Sequence, residues 1–387
     1  MARRVYFRGF GLVSAIGSTS VEIVSACQAG VSPVGQIALS YVDGRSTPYA
    51  FISNRDHAAP TSQLYNYLDT VVAAAVADAA LTPAEVARLA VFVGTTAADI
   101  SDLEQHYRDD LANGRATFPL YRSGVGVLAG YVADQLGSEG PEYTYSTACS
   151  SSANALIAAA QMIALGKLDH AIVLGVEEFN HASLYGFDAM MLLAADACRP
   201  FDKHRSGTVL GEGVGALVLS AQPPSLLSQQ AQHPFHFVCG ANLCDATNAA
   251  SASADMIARV MQHALSRSHL SARDIRVVKA HGTATPSNDV AEAQAMSVVF
   301  GAQPPPFVSL KPYVGHTLGA CGVIETIVLL NCLQQGFIPA TPNFQLADEE
   351  CGCQPTIERA VYHGGPVMLN FFGFGGNNAS FVMDDRP

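Results

Sequence analysis

Residues 141–165 read PEYTYSTACSSSANALIAAAQMIAL, and this stretch decides the fold. Its first six residues have the alternation of a short β-strand with a tight exit. From Ala153 to Leu165 the chain is an apolar, Ala-rich run of the kind that forms a buried helix. Cys149 stands at the junction, facing the free N–H groups and the positive end of the helix dipole. That setting favours thiolate over thiol, and the thiolate is the nucleophile. An inert buried cysteine fits the local pattern equally well, since free Cys is among the most buried residue types.

The same strand-then-helix alternation runs along the chain. Apolar segments 90–94, 171–175, 215–219, 235–239, 275–279 and 307–310 read as strands. Helical patterns lie at 64–80, 253–268 and 289–300 and from about 319. The expectation is an α/β layered fold. At the N-terminus, Arg8 and Gly9 break any signal-like apolar core, so a first strand turning at Gly9 and Gly11 is expected instead. Residues 221–234 (AQPPSLLSQQAQHP) lack periodicity and read as a loop between halves 1–225 and 226–387.

The halves echo one another. In the first, a strand leads to Cys149 and an apolar helix that stops at Gly166. In the second, a strand leads to His316 and an apolar helix that stops at Gly336. Both put a reactive residue at the start of a buried helix, as an internal duplication would.

Composition narrows the function. Hydrophobic residues make up 49% of the 387 and charged ones 14%, so the core is large. No apolar run reaches the ~18 residues of a membrane helix. A net charge of −12 without a basic stretch argues against nucleic acid. Nine cysteines, an odd number mostly in apolar settings, suggest a reduced, cytoplasmic protein. Cys351 and Cys353 have metal-like spacing but no second pair, so a surface loop is expected there and no metal site.

Three further segments carry chemistry. KAHGTATPSND, 279–289, places His281 just past a strand in a polar loop; KPYVGH, 311–316, places His316 five residues after Lys311; FFGFGGNN, 371–378, is Gly-rich and aromatic. A nucleophile needs a partner for its proton, and acyl transfer needs donors for a developing oxyanion. A cysteine, two histidines and a Gly-rich turn supply those parts. Each also has a plain structural reading: His281 or His316 as a hydrogen bonder, Lys311 as a loop charge, Glu325 as a paired core acid. The glycine spacing at 373–376 fits neither a P-loop nor a dinucleotide fingerprint.

Together these segments resemble the β-ketoacyl-acyl-carrier-protein synthases of the thiolase superfamily, in the elongating group with a Cys-His-His site. The resemblance runs nearly end to end. It includes the strand 5–17, the cysteine box 146–152, RPFDK at 199–203, VLGEGVG at 209–215, the HGTATP box at 281–286, the Lys311/His316 box and the 371–378 loop. It implies a thiolase fold: two duplicated halves in an αβαβα core. It implies decarboxylative condensation of a Cys149-bound acyl chain with malonyl-acyl-carrier protein, in fatty acid, polyketide or aryl polyene synthesis. His281 and His316 would stabilise the enolate, and the N–H groups of Cys149 and Phe374 would form the oxyanion hole. Lys311, paired with Glu325, would hold the region of the second histidine. Thr283 and Thr285 would bind the pantetheine arm, and Phe372 and Phe374 would gate the acyl chain. The resemblance implies no cofactor beyond the phosphopantetheine carried by the acyl carrier protein. The expected assembly is a homodimer, or a heterodimer with a chain-length-factor-like subunit.

Some features depart from the common pattern. Lys-Pro-Tyr-Val replaces the usual residues before Gly315-His316, and segment 186–195 lacks the basic residue that relatives place toward an acidic carrier protein. Those departures leave room for secondary metabolism. A non-catalytic chain-length factor would lack Cys149. A thiolase would carry a second cysteine in the C-terminal loop. A chain-initiating synthase would have asparagine in place of His316. A Cys-His hydrolase would need neither the second histidine nor the lysine.

Overall fold

The computed structural model describes residues 3–39, 44–53, 62–115, 124–224, 234–246 and 253–387. Ten strands form the main sheet. In the first half these are β1 (Val5–Val13), β2 (Ala90–Gly94), β3 (Glu142–Tyr145), β4 (His170–Glu177) and β5 (Gly213–Ser220). In the second they are β6 (His236–Cys244), β7 (Val277–Lys279), β8 (Phe307–Val308), β9 (Val367–Phe372) and β10 (Asn377–Asp384). Their order across the sheet is β3-β2-β4-β5-β1-β6-β10-β9-β7-β8.

This order is a duplication. Each half runs third-second-fourth-fifth-first. In each, the second strand pairs parallel with the third and fourth, and the last two pairings are antiparallel. The halves join through a short antiparallel pairing of Val5 with Phe237 and Tyr6 with His236.

The five-stranded halves sandwich two buried helices, Ser151–Ala164 and Cys321–Gln334, each following the third strand of its half. Other helices cover the outer faces, which gives the αβαβα layering. Alternation along β4 shows both faces at work. Ala171 and Val173 pack on the inner layer, while Ile172, Leu174 and Val176 pack under the outer helix Leu64–Asp78. The inner helices touch at backbone level. A Cβ on Gly322 would come within 2.1 Å of the Ala153 nitrogen, so only glycine permits this crossing.

Some expectations need revision. β1 does not turn at Gly9 and Gly11; it runs straight to Val13 with one irregularity after Phe7. The glycines serve packing instead. A Cβ on Gly11 would lie 2.1 Å from the Val71 carbonyl oxygen of the covering helix. The strand expected over 307–310 ends at Val308, and a single helical turn, Lys311–Val314, precedes His316. Cys351 is buried and packs with Cys353 against an apolar cluster, not on the surface. The boundary at 225/226 lies outside the described residues, as does most of the 221–234 loop. Among the described residues, no helix is long and apolar enough to cross a membrane.

Candidate active site

The cysteine elbow is built by its own hydroxyls. β3 ends at Tyr145, Ala148 takes a left-handed φ of 52°, and the helix starts at Ser151. For a residue with a Cβ that conformation costs about 1–2 kcal/mol, so the elbow must be tied from several sides. Ser150 Oγ donates to the Thr147 carbonyl at 2.8 Å, and Ser151 Oγ to the Ala148 carbonyl at 2.6 Å. The Thr147 N–H donates back to Ser151 Oγ at 2.9 Å, and Asn154 Nδ2 reaches Thr147 Oγ1 at 2.9 Å. The run of Ser and Thr around Cys149 thus satisfies a turn that lies between layers. From the other inner helix, the Cys321 thiol donates to the Cys149 carbonyl at 2.9 Å, and the Val323 N–H donates to Ser152 Oγ at 3.1 Å.

His316 stands at the matching elbow of the second half. Its N–H donates to the Val209 carbonyl at 2.7 Å, and the Gly211 N–H donates to the His316 carbonyl at 3.1 Å. That strand-like bridge gives the 209–215 motif its role in the site. His281 is held by Glu292, whose carboxylate accepts from the N–H groups of His281 and Gly282, each at 2.8 Å. Asp289 accepts from the N–H groups of Ala284 and Phe201. Neither acid stood out in the sequence. Both look like ordinary helix charges until the helix Pro286–Phe300 is seen to bury them.

These elements bring together Cys149 Sγ and a ring nitrogen each of His281 and His316, all within 4.8 Å of one another. His316 Nε2 lies 3.1 Å from the sulfur. The N–H groups of Phe374 and Cys149 face that sulfur and favour its thiolate. Gly373 allows the Phe374 contact, because a Cβ there would lie 2.9 Å from the Thr147 carbonyl oxygen and 3.1 Å from the Cys149 nitrogen.

Behind His281 lies a buried charge cluster. Lys311 Nζ is 2.8 Å from Glu325 Oε1 and 3.4 Å from His281 Nδ1. The expected Lys311–Glu325 pair is present, but the lysine faces the first histidine, not the second. An ammonium only donates, so His281 Nδ1 accepts and Nε2 carries the proton. A second lysine, Lys279, sits 2.6 Å from Glu325 Oε2. Lys279, Lys311 and Glu325 are all fully buried.

Burial sets the protonation states. It pushes the Cys149 thiol up to about 12, a shift that the Lys311 charge and the two N–H groups reduce without cancelling. The expectation that the helix start lowers this value is therefore corrected: the donors are present, but desolvation outweighs them. Both imidazoles fall well below their ordinary value, first through burial and then through Lys311. Glu292 and Glu177 rise to about 7, also through burial. The Cys-His-His set has a spacing that a tetrahedral ion could bridge, but two ammonium groups behind the imidazoles oppose a cation there.

The three groups open onto a cavity of about 690 Å³, including its mouth. Thr283 and Thr285 line it and share a 2.8 Å hydrogen bond. Phe372 is buried against His281, with ring centroids 5.7 Å apart. Phe374 is 37% exposed and meets Phe187 at 5.8 Å. Phe187 and Thr208 also line the cavity, and sequence reasoning missed both. Thr208 Oγ1 is buried with no hydrogen-bond partner among the described residues.

A duplicated five-layer fold with a cysteine and a histidine at its paired elbows, and a second histidine beside them, defines a condensing acyltransferase. The comparisons name the family. Residues 36–223 match the model of the β-ketoacyl synthase N-terminal domain, and residues 238–345 that of the C-terminal domain. The chain belongs to the β-ketoacyl synthases. It is 30% identical over 403 residues to nodulation protein E of Rhizobium sp. (strain N33), covering 98% of both chains. It is also 30% identical over 411 residues to 3-oxoacyl-[acyl-carrier-protein] synthase 2 of Vibrio cholerae, covering 98% of this chain and 99% of that one. Among solved structures, the ishigamide ketosynthase/chain length factor superposes with a TM-score of 0.89 at 27% identity, covering 100% of both chains.

Proposed function

We propose that this enzyme extends acyl chains by two carbons, with Cys149 carrying the chain and malonyl-acyl-carrier protein as extender. The supporting observation is the convergence of Cys149, His281 and His316 at one cavity, with two backbone N–H groups on the sulfur. In loading, Cys149 Sγ attacks the acyl thioester while His316 Nε2, at 3.1 Å, takes the thiol proton. The proton passes to the departing pantetheine thiolate. Acylation removes the S–H donor, and the neutral His316 ring then holds its one proton on Nε2 instead of Nδ1, so that Nε2 donates.

The malonyl thioester then binds with its carbonyl oxygen toward both imidazoles. Carbon dioxide leaves, and the electron pair of the broken C–C bond forms an enolate held by Nε2–H of His281 and of His316. The enolate carbon attacks the Cys149 thioester. The resulting oxyanion is held by the N–H groups of Cys149 and Phe374. Collapse releases the β-ketoacyl thioester on the carrier and a Cys149 thiolate, which takes up one proton. Lys311, anchored by Glu325, keeps His281 in the donating tautomer. Thr283 and Thr285 serve the pantetheine arm, and Phe372 and Phe374 the acyl gate.

The enzyme's own residues suffice for this chemistry. The acyl groups arrive on phosphopantetheine, and the reading calls for no metal or further cofactor. The likeness to a ketosynthase/chain length factor structure supports a second subunit of that kind and a secondary-metabolite chain such as a polyketide or aryl polyene. A homodimer is the other assembly we propose, with the halves meeting at 225/226 and the protein in the cytoplasm.

The test is loading and condensation followed by intact mass, with acyl- and malonyl-carrier proteins. Cys149→Ala loses loading, and His316→Ala loses condensation by at least about a hundredfold, as for a donor that holds a developing oxyanion. Wild-type condensation by either variant would refute these roles.

A further inference from the structure

Lys279 ends β7, two residues before His281, and looks like an ordinary strand-end charge. In the fold it is fully buried. Its Nζ lies 2.6 Å from Glu325 Oε2, 2.6 Å from the Asn370 carbonyl oxygen and 3.5 Å from the Phe371 ring centroid. An ammonium has three N–H donors and no acceptor. A carboxylate, a carbonyl and an aromatic face are three electron-rich partners, one for each donor. A neutral amine would present a lone pair to three groups that cannot donate. The coordination is that of a charged Lys279: burial and then the Lys311 charge lower its proton affinity, and Glu325 opposes that loss.

The charge is surplus to the fold. Lys311 alone would neutralise Glu325, which it meets at 2.8 Å. With both lysines charged the cluster holds two cations against one carboxylate, all fully buried. An uncompensated buried charge is unfavourable. The other groups facing Lys279 offset it at most in part. Cys321, on the helix with Glu325, bears a thiol that burial pushes up and keeps neutral. Glu292, from the neighbouring helix, is raised to about 7. His281 lies on the same segment, and its proton affinity is lowered by both lysines.

We propose that Lys279 is a positioning residue that charges the active site in advance for an anionic reactant. The proposal rests on the decarboxylative reading above. One excess positive charge behind the imidazoles matches the single negative charge of a malonyl carboxylate on binding and of the enolate after carbon dioxide leaves. A fixed, dry charge of this kind stabilises a developing anion without reorganising. Lys279 acts through Glu325: by holding one carboxylate oxygen, it orients the other toward Lys311 and so fixes the Lys311–His281 contact. Acyl loading onto Cys149 introduces no such reactant anion and draws less on this charge.

The experiment uses the full chain, with Lys279→Met, which keeps length and removes charge, and Lys279→Gln, which can still donate to the Asn370 carbonyl. Melting temperature, Cys149 loading by intact mass, and single-turnover condensation of pre-acylated enzyme with malonyl-carrier protein are measured across pH. Both variants should fold and melt within several degrees of the wild-type temperature, load within about threefold, and condense about a hundredfold or more slowly. The acid limb of the condensation profile should move to higher pH, because His281 and His316 regain proton affinity once the charge is gone. Condensation at the wild-type rate with an unmoved acid limb overturns the proposal. So does a loss of folding, or an equal loss of loading and condensation, in both variants, since either makes Lys279 structural. If wild-type enzyme itself fails to condense with malonyl-carrier protein, the proposed function fails instead, and the two outcomes are distinct.

Discussion

Cys149 should be a slow, steadily pH-dependent nucleophile in the resting enzyme. Its thiol is pushed up to about 12 by burial, five units above neutral pH. The thiolate fraction at pH 7 is then about one part in 10⁵, against a few per cent for an ordinary cysteine. The perturbation is pH, and the assay is iodoacetamide labelling, with digestion and mass analysis of the peptide bearing Cys149. Cys244, which is exposed, serves as comparator, and the rate at pH 10 corrects for access. Labelling of Cys149 should rise about tenfold per pH unit from 7 to 10 without levelling off. Relative to its own rate at pH 10, labelling at pH 7 should run roughly thirtyfold below that of an ordinary thiol. Lys311→Met should slow it further, because the Lys311 charge is what chiefly opposes the upward shift. A plateau below about pH 8 would refute the reasoning, because it would mean that the helix start and the N–H donors outweigh desolvation.

Two further perturbations probe the scaffold. Glu325→Gln leaves two buried ammonium groups facing an amide and should destabilise the protein by about 3–5 kcal/mol. The sign with pH follows: in the variant the lysines lose proton affinity in the folded state, so stability is lost as pH falls and the deficit in thermal melting shrinks as pH rises toward 10. A pH-independent deficit would show that packing, not charge, is lost. Gly322→Val puts side-chain atoms where a single Cβ would already lie 2.1 Å from the Ala153 nitrogen. It should cost upwards of about 3 kcal/mol and weaken condensation, since the same helices set Cys149 against His316; a variant melting like wild type would refute the close crossing.

Much of the site was legible because polar residues are conspicuous in apolar surroundings. Cys149, His281 and His316 each mark the end of a segment that is otherwise core, and such a residue must be satisfied or used. That Glu325 needs a partner was legible for the same reason, while Lys311 as that partner followed from the family resemblance. The duplication showed as two reactive residues heading two apolar helices, and the strand order of the two halves repeats accordingly. What stayed hidden depends on distant contacts. Glu292 holds the His281 loop, Thr208 lines the cavity two residues before Leu210 bridges His316, and Lys279 meets Glu325 across 46 residues of chain. Nothing local distinguishes these residues from solvated ones.

By itself the sequence determined the alternation of strands and helices and pointed to two halves and to candidate reacting groups, because periodicity and polar residues in apolar runs are local properties. Only the tertiary structure decided the charge states. The Cys149 thiol, the neutral histidines and the doubled lysine on one carboxylate all depend on how much water the surrounding layers exclude. That exclusion is a sum over neighbours contributed by both halves, so the same helix start that favours a thiolate in isolation holds a thiol once it is buried.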